Sequence, residues 1–265
     1  MKIISWNINS LRLRLTLLKK LVQEANPDII CLQETKVQDA DFPLLEVKAL
    51  GYDFVEFSGE KSYNGVAIIS KFPLKKSQAI DILDYKHKRH ICAVLETKIG
   101  DVILHNFYVP AGGDIPDVKL NNKFDHKLKF VDWMSEYFAP QKNEKIIILG
   151  DMNIAPLEHD VWSHKQLIKI VSHTPIEVEK MTALQKSLNW VDTHRHFVNE
   201  SEKLYSWWSY RAADPMTSNK GRRLDHIWAT PNLKNHIKSM QIHKKFRIEA
   251  QPSDHVPIET VFDLL

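Results

Sequence analysis

Short apolar runs, most of them rich in Ile and Val and bounded by Gly, Pro or Asp, predict strands at 2–8, 28–33, 52–57, 64–70, 90–98, 102–109, 145–150, 224–229, 239–247 and 256–262. Stripes with the helical period are fewer. Leu11, Leu15, Leu18, Val22 and Ala25 share one face of a helix predicted over 11–25, with Ser10 placed to cap it and Asn26-Pro27 to end it. A short helix over 42–50 stops at Gly51, where a left-handed cap is expected. Two more helices are predicted over 122–138 and 177–189, the second with Val178, Met181, Leu184 and Leu188 on one face. The runs 90–98 and 102–109 flank Gly100-Asp101 as a hairpin, which excludes an all-parallel sheet. The strands are too many for one compact sheet, so the pattern predicts two packed sheets flanked by helices.

Composition fits a sizeable core. The 265 residues suit one large domain or two small ones, and 43% hydrophobic against 26% charged residues excludes disorder as the main state. The longest strongly apolar runs, such as Ile146-Ile147-Ile148-Leu149, are strand-sized and far below the ~20 residues of a membrane span. Asn7 and Asn9 interrupt the N-terminal apolar stretch, so no signal peptide is expected. Cys31 and Cys92 each sit in an apolar run and in no C-x-x-C pair, which predicts two buried free thiols in a reduced, cytoplasmic protein. The thirteen histidines are scattered and read mostly as surface residues.

The net charge of +3 says little, but its distribution says more. Residues 201–250 hold ten basic and four acidic residues, so the rest of the chain is net negative. Tyr205, Trp207, Trp208, Tyr210 and Trp228 lie in the same stretch. Cations that track phosphates beside aromatic faces suit nucleic acid; a solvated basic edge over core aromatics is the plainer reading.

Polar residues recur where hydrophobic strands finish. Asn7-Ile8-Asn9 follows the first strand, Gln33-Glu34-Thr35 the second, and Gly150-Asp151-Met152-Asn153 follows Ile146–Leu149. Leu224-Asp225-His226 enters a late strand, and Ser253-Asp254-His255 precedes the last. One instance is turn chemistry, whereas five gather a set of carboxylates, amides and a histidine. Such donors suit Mg²⁺, Mn²⁺ or Ca²⁺ rather than structural zinc. No Gly-rich phosphate loop and no Gly-x-Ser-x-Gly elbow is present, which leaves metal-assisted hydrolysis of a phosphate ester.

With Trp6-Asn7-Ile8-Asn9-Ser10-Leu11-Arg12, Leu32-Gln33-Glu34-Thr35-Lys36, Gly65-Val66-Ala67, Tyr108-Val109-Pro110, Gly150-Asp151-Met152-Asn153-Ile154-Ala155-Pro156, Arg223-Leu224-Asp225 and Ser253-Asp254-His255, the chain resembles the exonuclease III family of apurinic/apyrimidinic (AP) endonucleases, within the endonuclease/exonuclease/phosphatase superfold. The resemblance implies one domain over 1–265, folded as a four-layer α/β sandwich of the DNase I-like type with two packed mixed sheets flanked by helices. It implies a monomer that needs Mg²⁺, with Mn²⁺ as a substitute. The implied substrate is double-stranded DNA with abasic sites or blocked 3′ ends, cleaved 5′ to the abasic site, with 3′→5′ exonuclease or 3′-phosphodiesterase activity beside it.

By the same resemblance Glu34 is the principal metal ligand, and Asn7 orients the metal or phosphate shell. Asp254 either completes that shell or stabilises its turn, and Asn9 either supports the substrate or caps the next helix. Asp151 positions or deprotonates the attacking water, while Asn153 holds that water or a phosphate oxygen. Tyr108 donates to the phosphate, unless it is a core tyrosine. His255 stabilises charge on the phosphate with Asp225 at its other ring nitrogen. Trp207 and Leu224 wall a pocket for a flipped-out abasic sugar, and Trp208, pointing the other way along an extended stretch, is read as core. Lys123, Arg211, Lys220 and Arg222 are candidate DNA-backbone contacts. Ala111 departs from the pattern, since many relatives have an Asn or Gln there whose amide reaches the phosphate. Two other readings remain open: a non-catalytic RNA or protein binder, for which the acidic and histidine set has no use, and a phosphoinositide or sphingolipid phosphodiesterase.

Overall fold

A computed structural model describes residues 1–211 and 214–265. Its strands, in chain order, are β1 (Lys2–Asn7), β2 (Ile29–Gln33), β3 (Phe54–Ser58), β4 (Val66–Ser70), β5 (Leu74–Gln78), β6 (His90–Thr97) and β7 (Gly100–Tyr108). They continue with β8 (Ile146–Asp151), β9 (Val191–Asp192), β10 (Trp207–Trp208), β11 (Gly221–Arg222), β12 (Asp225–Ala229), β13 (Ile237–Ile242) and β14 (Ile258–Phe262). One six-stranded sheet has the order β13-β14-β1-β2-β4-β3, and a second has β5-β6-β7-β8-β12-β9. Each contains a single parallel pair, β1 with β2 and β7 with β8, among antiparallel neighbours. These are the two mixed sheets that the pattern predicts.

Consecutive apolar residues serve opposite layers, because neighbouring side chains on a strand leave opposite faces. Ile3 and Ile147 join the core between the sheets, together with Cys31, Val66 and Leu104. Ile4 and Trp6 instead pack outward on Leu17, Leu18 and Leu21 of helix α1 (Leu15–Ala25). On the other side Ile148 and Trp228 pack outward on helices that follow β7 and precede β9. The four layers are thus helices, sheet, sheet, helices. Inside the apolar sandwich, Gln33 donates to Asn106 Oδ1 at 2.7 Å, and Asn106 donates to the carbonyls of Leu32 and Ala67 at 2.9 Å. A buried amide pair bonded this way fixes how one sheet sits on the other.

Four differences from expectation bear on the packing. Ser10 does not cap a helix: its φ of +86° is not a cap conformation, its amide donates to Glu34 O, and the chain enters α1 through a 3₁₀ turn at Arg12–Arg14. The strand expected over 239–247 is β13, which ends where its partner β14 begins, and Lys244–Ile248 is a 3₁₀ turn. Strand β5 carries no apolar signal because four of its five residues are exposed at the sheet edge. Finally, eight of the thirteen histidines (His90, His105, His126, His173, His194, His226, His243 and His255) are buried, so the reading of them as surface residues is corrected. Aromatic stacking and ring-nitrogen hydrogen bonds give those rings a place in the core.

Arg223, in the Arg223-Leu224-Asp225 motif, is almost fully buried. Its guanidinium forks onto both oxygens of Asp160 at 2.8 and 2.9 Å and onto Asp192 at 2.6 Å. Burial opposes the Asp192 charge, but Arg223 outweighs it and holds the carboxyl well below its ordinary range. Arg223→Met would leave Asp192 buried without a cation and Asp160 with Arg195 alone, a loss of about 3–5 kcal/mol. The measurement is thermal unfolding, and an unchanged melting temperature would refute the assignment.

Candidate active site

Strand register assembles the site. In the second sheet Tyr108 pairs with Asp151 across β7 and β8, and Asp151 pairs with Asp225 across β8 and β12, so three of the expected site residues stand side by side at one end. In the first sheet Asn7 pairs with Gln33, which puts Glu34 just beyond the same end. The end of β8 depends on glycine at position 150: its φ is +136°, and a Cβ there would lie 1.9 Å from Phe107 O. His255 arrives by a third route. Its backbone bridges Trp207, and Trp6 Nε1 donates to the His255 carbonyl at 3.1 Å. Ser253 Oγ donates to Asn7 O and accepts from the His255 amide, tying that turn to β1.

Asp225, His255 and Asp151 form a row. Asp225 Oδ2 lies 2.8 Å from His255 Nδ1, and His255 Nε2 lies 3.6 Å from Asp151 Oδ2. Ser206 Oγ donates to the same Asp225 oxygen at 2.6 Å, while Asp225 Oδ1 is buried with no partner among the described residues. Burial disfavours a charged His255, but Asp225 and Asp151 prevail and push it up to about 10. Burial, and then the Asp225 charge, raise the Asp151 carboxyl, against the pull of His255. Asp225 therefore fixes the proton on Nδ1 and leaves Nε2 facing the cavity as a second donor.

Amides hold Asp151 in place. It accepts from the Asn153 backbone at 2.9 Å, from Asn153 Nδ2 at 3.1 Å and from Asn7 Nδ2 at 2.9 Å. Asn153, at φ +52°, also donates to Val109 O, so both protons of its amide nitrogen are spent on the protein. Asn7 Nδ2 spends its other proton on Glu34 Oε1 at 2.8 Å and so clamps the two carboxylates together. Burial opposes the charge on Glu34, yet Lys36 and Asn7 keep it below the ordinary carboxylate range. Lys36 Nζ sits 2.8 Å from Glu34 Oε2 and 2.6 Å from Asn9 Oδ1. Burial and the nearby Glu34 charge push the Tyr108 phenol well above its usual value, so it stays a donor.

These are oxygen donors, with two clamped carboxylates and an unpartnered oxygen on Asp225, and no thiolate stands among them. They fit a hard divalent cation. A second buried group, His90, Cys92 and His105, does not fit a metal. His90 Nδ1 accepts from the Ile80 amide, so its Nε2 carries the proton it shares with His105 and has no lone pair to give.

The remaining expected residues line or brace one cavity of about 1000 Å³ that also holds Glu34, Tyr108, Asp151, Asn153 and His255. Trp207 is half-buried in its wall beside the buried Leu224, whereas Trp208 faces the core at 1% exposure. Asp254 stands outside the Asp151–Asp225–His255 row: one oxygen accepts from Trp207 Nε1 and the other from Asn9 Nδ2, each at 3.0 Å. Arg222 packs its guanidinium 5.3 Å from the Trp207 ring and donates to Val171 O and Ser172 Oγ. Arg211 is exposed at the rim, Lys220 lies over Trp162, and Lys123 lines a smaller adjoining cavity with Arg89 and Tyr108. Lys36, Ser206 and Ser253 were missed as site residues. Lys36 and Ser253 lie inside quoted motifs, and Ser206 is one residue from Trp207, but nothing local gives their direction.

A sequence profile of the Endonuclease/Exonuclease/phosphatase family matches residues 4–255. The chain is 32% identical over 282 residues to an exodeoxyribonuclease III of Haemophilus influenzae, covering 99% of this chain and all of that protein. It is 29% identical to an exodeoxyribonuclease of Bacillus subtilis, over the full length of both. Among solved structures, an AP endonuclease from Archaeoglobus fulgidus superposes with a TM-score of 0.90 at 31% identity, with both chains fully covered. A 3′ phosphatase from Neisseria bound to a product DNA hairpin also gives 0.90, at 28% identity and 99% coverage of each chain.

Proposed function

Since the chain belongs to the endonuclease/exonuclease/phosphatase family and is a phosphodiester-hydrolysing nuclease of the exonuclease III and AP endonuclease kind, we propose that it is a Mg²⁺-dependent DNA repair enzyme that cuts duplex DNA 5′ to abasic sites and trims blocked 3′ ends. The observation that carries this reading is the Asp225–His255–Asp151 row lying beside Glu34 in a cavity walled by Trp207 and Leu224. No described helix is long and apolar enough to cross a membrane. Both cysteines are free and buried, which suits a reducing compartment, and action in the cytoplasm as a monomer is part of this proposal.

Glu34 would hold the cation, with Asn7 fixing the carboxylate and Asp254 at the edge of the shell. Bound there, Mg²⁺ would supply a positive charge for the phosphate oxygens and the departing oxygen. Asp151 takes the proton of the attacking water. Asn153 assists through Oδ1, because its amide protons are already committed to Val109 and Asp151; of its two possible roles, the geometry favours holding the water. His255 presents Nε2–H to a phosphate oxygen while Asp225 balances its charge, and the Tyr108 phenol is a further donor. Asn9 acts indirectly, by holding Asp254 and Lys36.

The test is incubation with an abasic duplex, a 3′-blocked duplex and a phosphoinositide, each with Mg²⁺ or with EDTA. Cleavage of the two DNAs with Mg²⁺ only is expected. Hydrolysis of the phosphoinositide alone, or no hydrolysis of any of them, would overturn the reading.

Selectivity is tested at Trp207. Trp207→Ala removes one wall of the pocket but leaves Glu34, Asp151 and His255 in place. Abasic cleavage should fall on the order of tenfold as the sugar loses its near-attack position, while a small aryl phosphodiester is hydrolysed as before. A core role predicts parallel loss of both activities with a stability loss of roughly 3–5 kcal/mol. Both substrates, measured beside the melting temperature, separate the two outcomes.

A further inference from the structure

Behind the cavity lies a charge pair that the proposed reaction does not use. Helix α2 (Asn122–Phe138) carries Lys127, and Glu177 lies in the first turn of a helix over Pro175–Ser187; both side chains are fully buried, with Nζ 2.5 Å from Oε1. The ammonium has three protons. One goes to Glu177, one to Asn153 O at 2.7 Å and one to Ala111 O at 3.2 Å. Those carbonyls belong to the two loops that line the cavity beside Asp151. Glu177 is itself held by the amides of Ser172 and Thr174 and by Thr174 Oγ1, so the anchor is rigid.

A buried ion pair is a poor way to gain stability alone, because apolar residues of similar size do as well or better. Its geometry here has another use. The peptide bonded by Lys127 belongs to Asn153, whose φ is +52° and whose backbone and side chain hold both oxygens of Asp151. The other loop, Ala111-Gly112-Gly113, makes no backbone hydrogen bond through its own amides among the described residues. Helix α2 and the residue before it hold this loop instead: Asn121 donates to Gly112 O and Lys127 to Ala111 O. The Lys127 stem runs so close beneath it that a Cβ on Gly112 would lie 2.9 Å from Cδ.

We propose that Lys127 is a positioning residue for catalysis: with Glu177 as its counter-ion, it fixes Asn153 and the 111–113 loop relative to Asp151 without touching substrate. This rests on the nuclease reading. Wild-type protein is therefore assayed first on the abasic and 3′-blocked duplexes with Mg²⁺, and absence of cleavage there would fail that reading before any variant is compared. The decisive variant is the double substitution Lys127→Met with Glu177→Gln, which leaves no stranded charge. Its melting temperature should return close to wild type and its KM should stay within about threefold, while kcat remains down by about tenfold or more. Recovery of kcat together with stability would overturn the proposal and leave the pair a purely structural one. Lys127→Gln is the second variant, in case the double variant does not fold. Its amide can still donate toward the carbonyls, so its kcat should exceed that of Lys127→Met at a temperature where both are folded. Equal kcat in wild type and every folded variant would equally overturn the proposal.

Discussion

Asp151→Asn should lower turnover by at least ~10²-fold while DNA binding is retained or strengthened. On the proposed mechanism the base is lost, and so is one negative charge from the cavity that would receive the phosphate, which favours binding. Every group bonded to the Asp151 carboxylate is an N–H donor: the Asn153 amide, Asn153 Nδ2 and Asn7 Nδ2. An asparagine must turn its own NH₂ toward at least one of them, so a stability loss of about 1–3 kcal/mol accompanies the change. Single-turnover cleavage, DNA binding in EDTA and the melting temperature separate these effects. Unchanged turnover would take the base role away from Asp151.

What the sequence discloses and what it hides follow from the range of the interactions. The sandwich is legible because Ile3-Ile4 and Ile146-Ile147-Ile148 bury both faces, and only a strand between two layers does that. Asn7, Glu34, Asp151 and Asp225 are legible because each ends or begins such a strand, and a mixed sheet brings those ends to one edge. Their mutual bonds are not. Asn7 and Asp151 are 144 positions apart, and the bond between them depends on how two sheets pack. Lys127 is hidden for the same reason: on a helix it reads as a solvated charge, and only Glu177, 50 residues on, explains its burial. Asp254 could be read as a ligand or a turn residue, and its bonds to Trp207 and Asn9 link it to the pocket wall. Ser10 misled because the capping rule looks at residue type, while φ there is set by the bond to Glu34 O.

Glu34→Ala should abolish cleavage at low Mg²⁺ and leave the fold intact. Glu34 sits at φ +50°, so alanine there keeps a backbone conformation that costs roughly 1–2 kcal/mol in any L-residue, already present in the wild type. The side chain packs into no apolar cluster; it accepts from Asn7 and faces Lys36, which keeps its bond to Asn9. Stability should therefore change little. The cation would lose its principal charged ligand, and Asn7 Nδ2 would keep only its bond to Asp151. Because hard-cation affinity follows the number of anionic oxygens, excess Mg²⁺ or Mn²⁺ should restore part of the rate. The measurement is initial rate against Mg²⁺ concentration for both proteins, alongside thermal unfolding. A rightward shift of that curve at constant melting temperature is the expected result, and wild-type rates at low Mg²⁺ would remove Glu34 from the metal site.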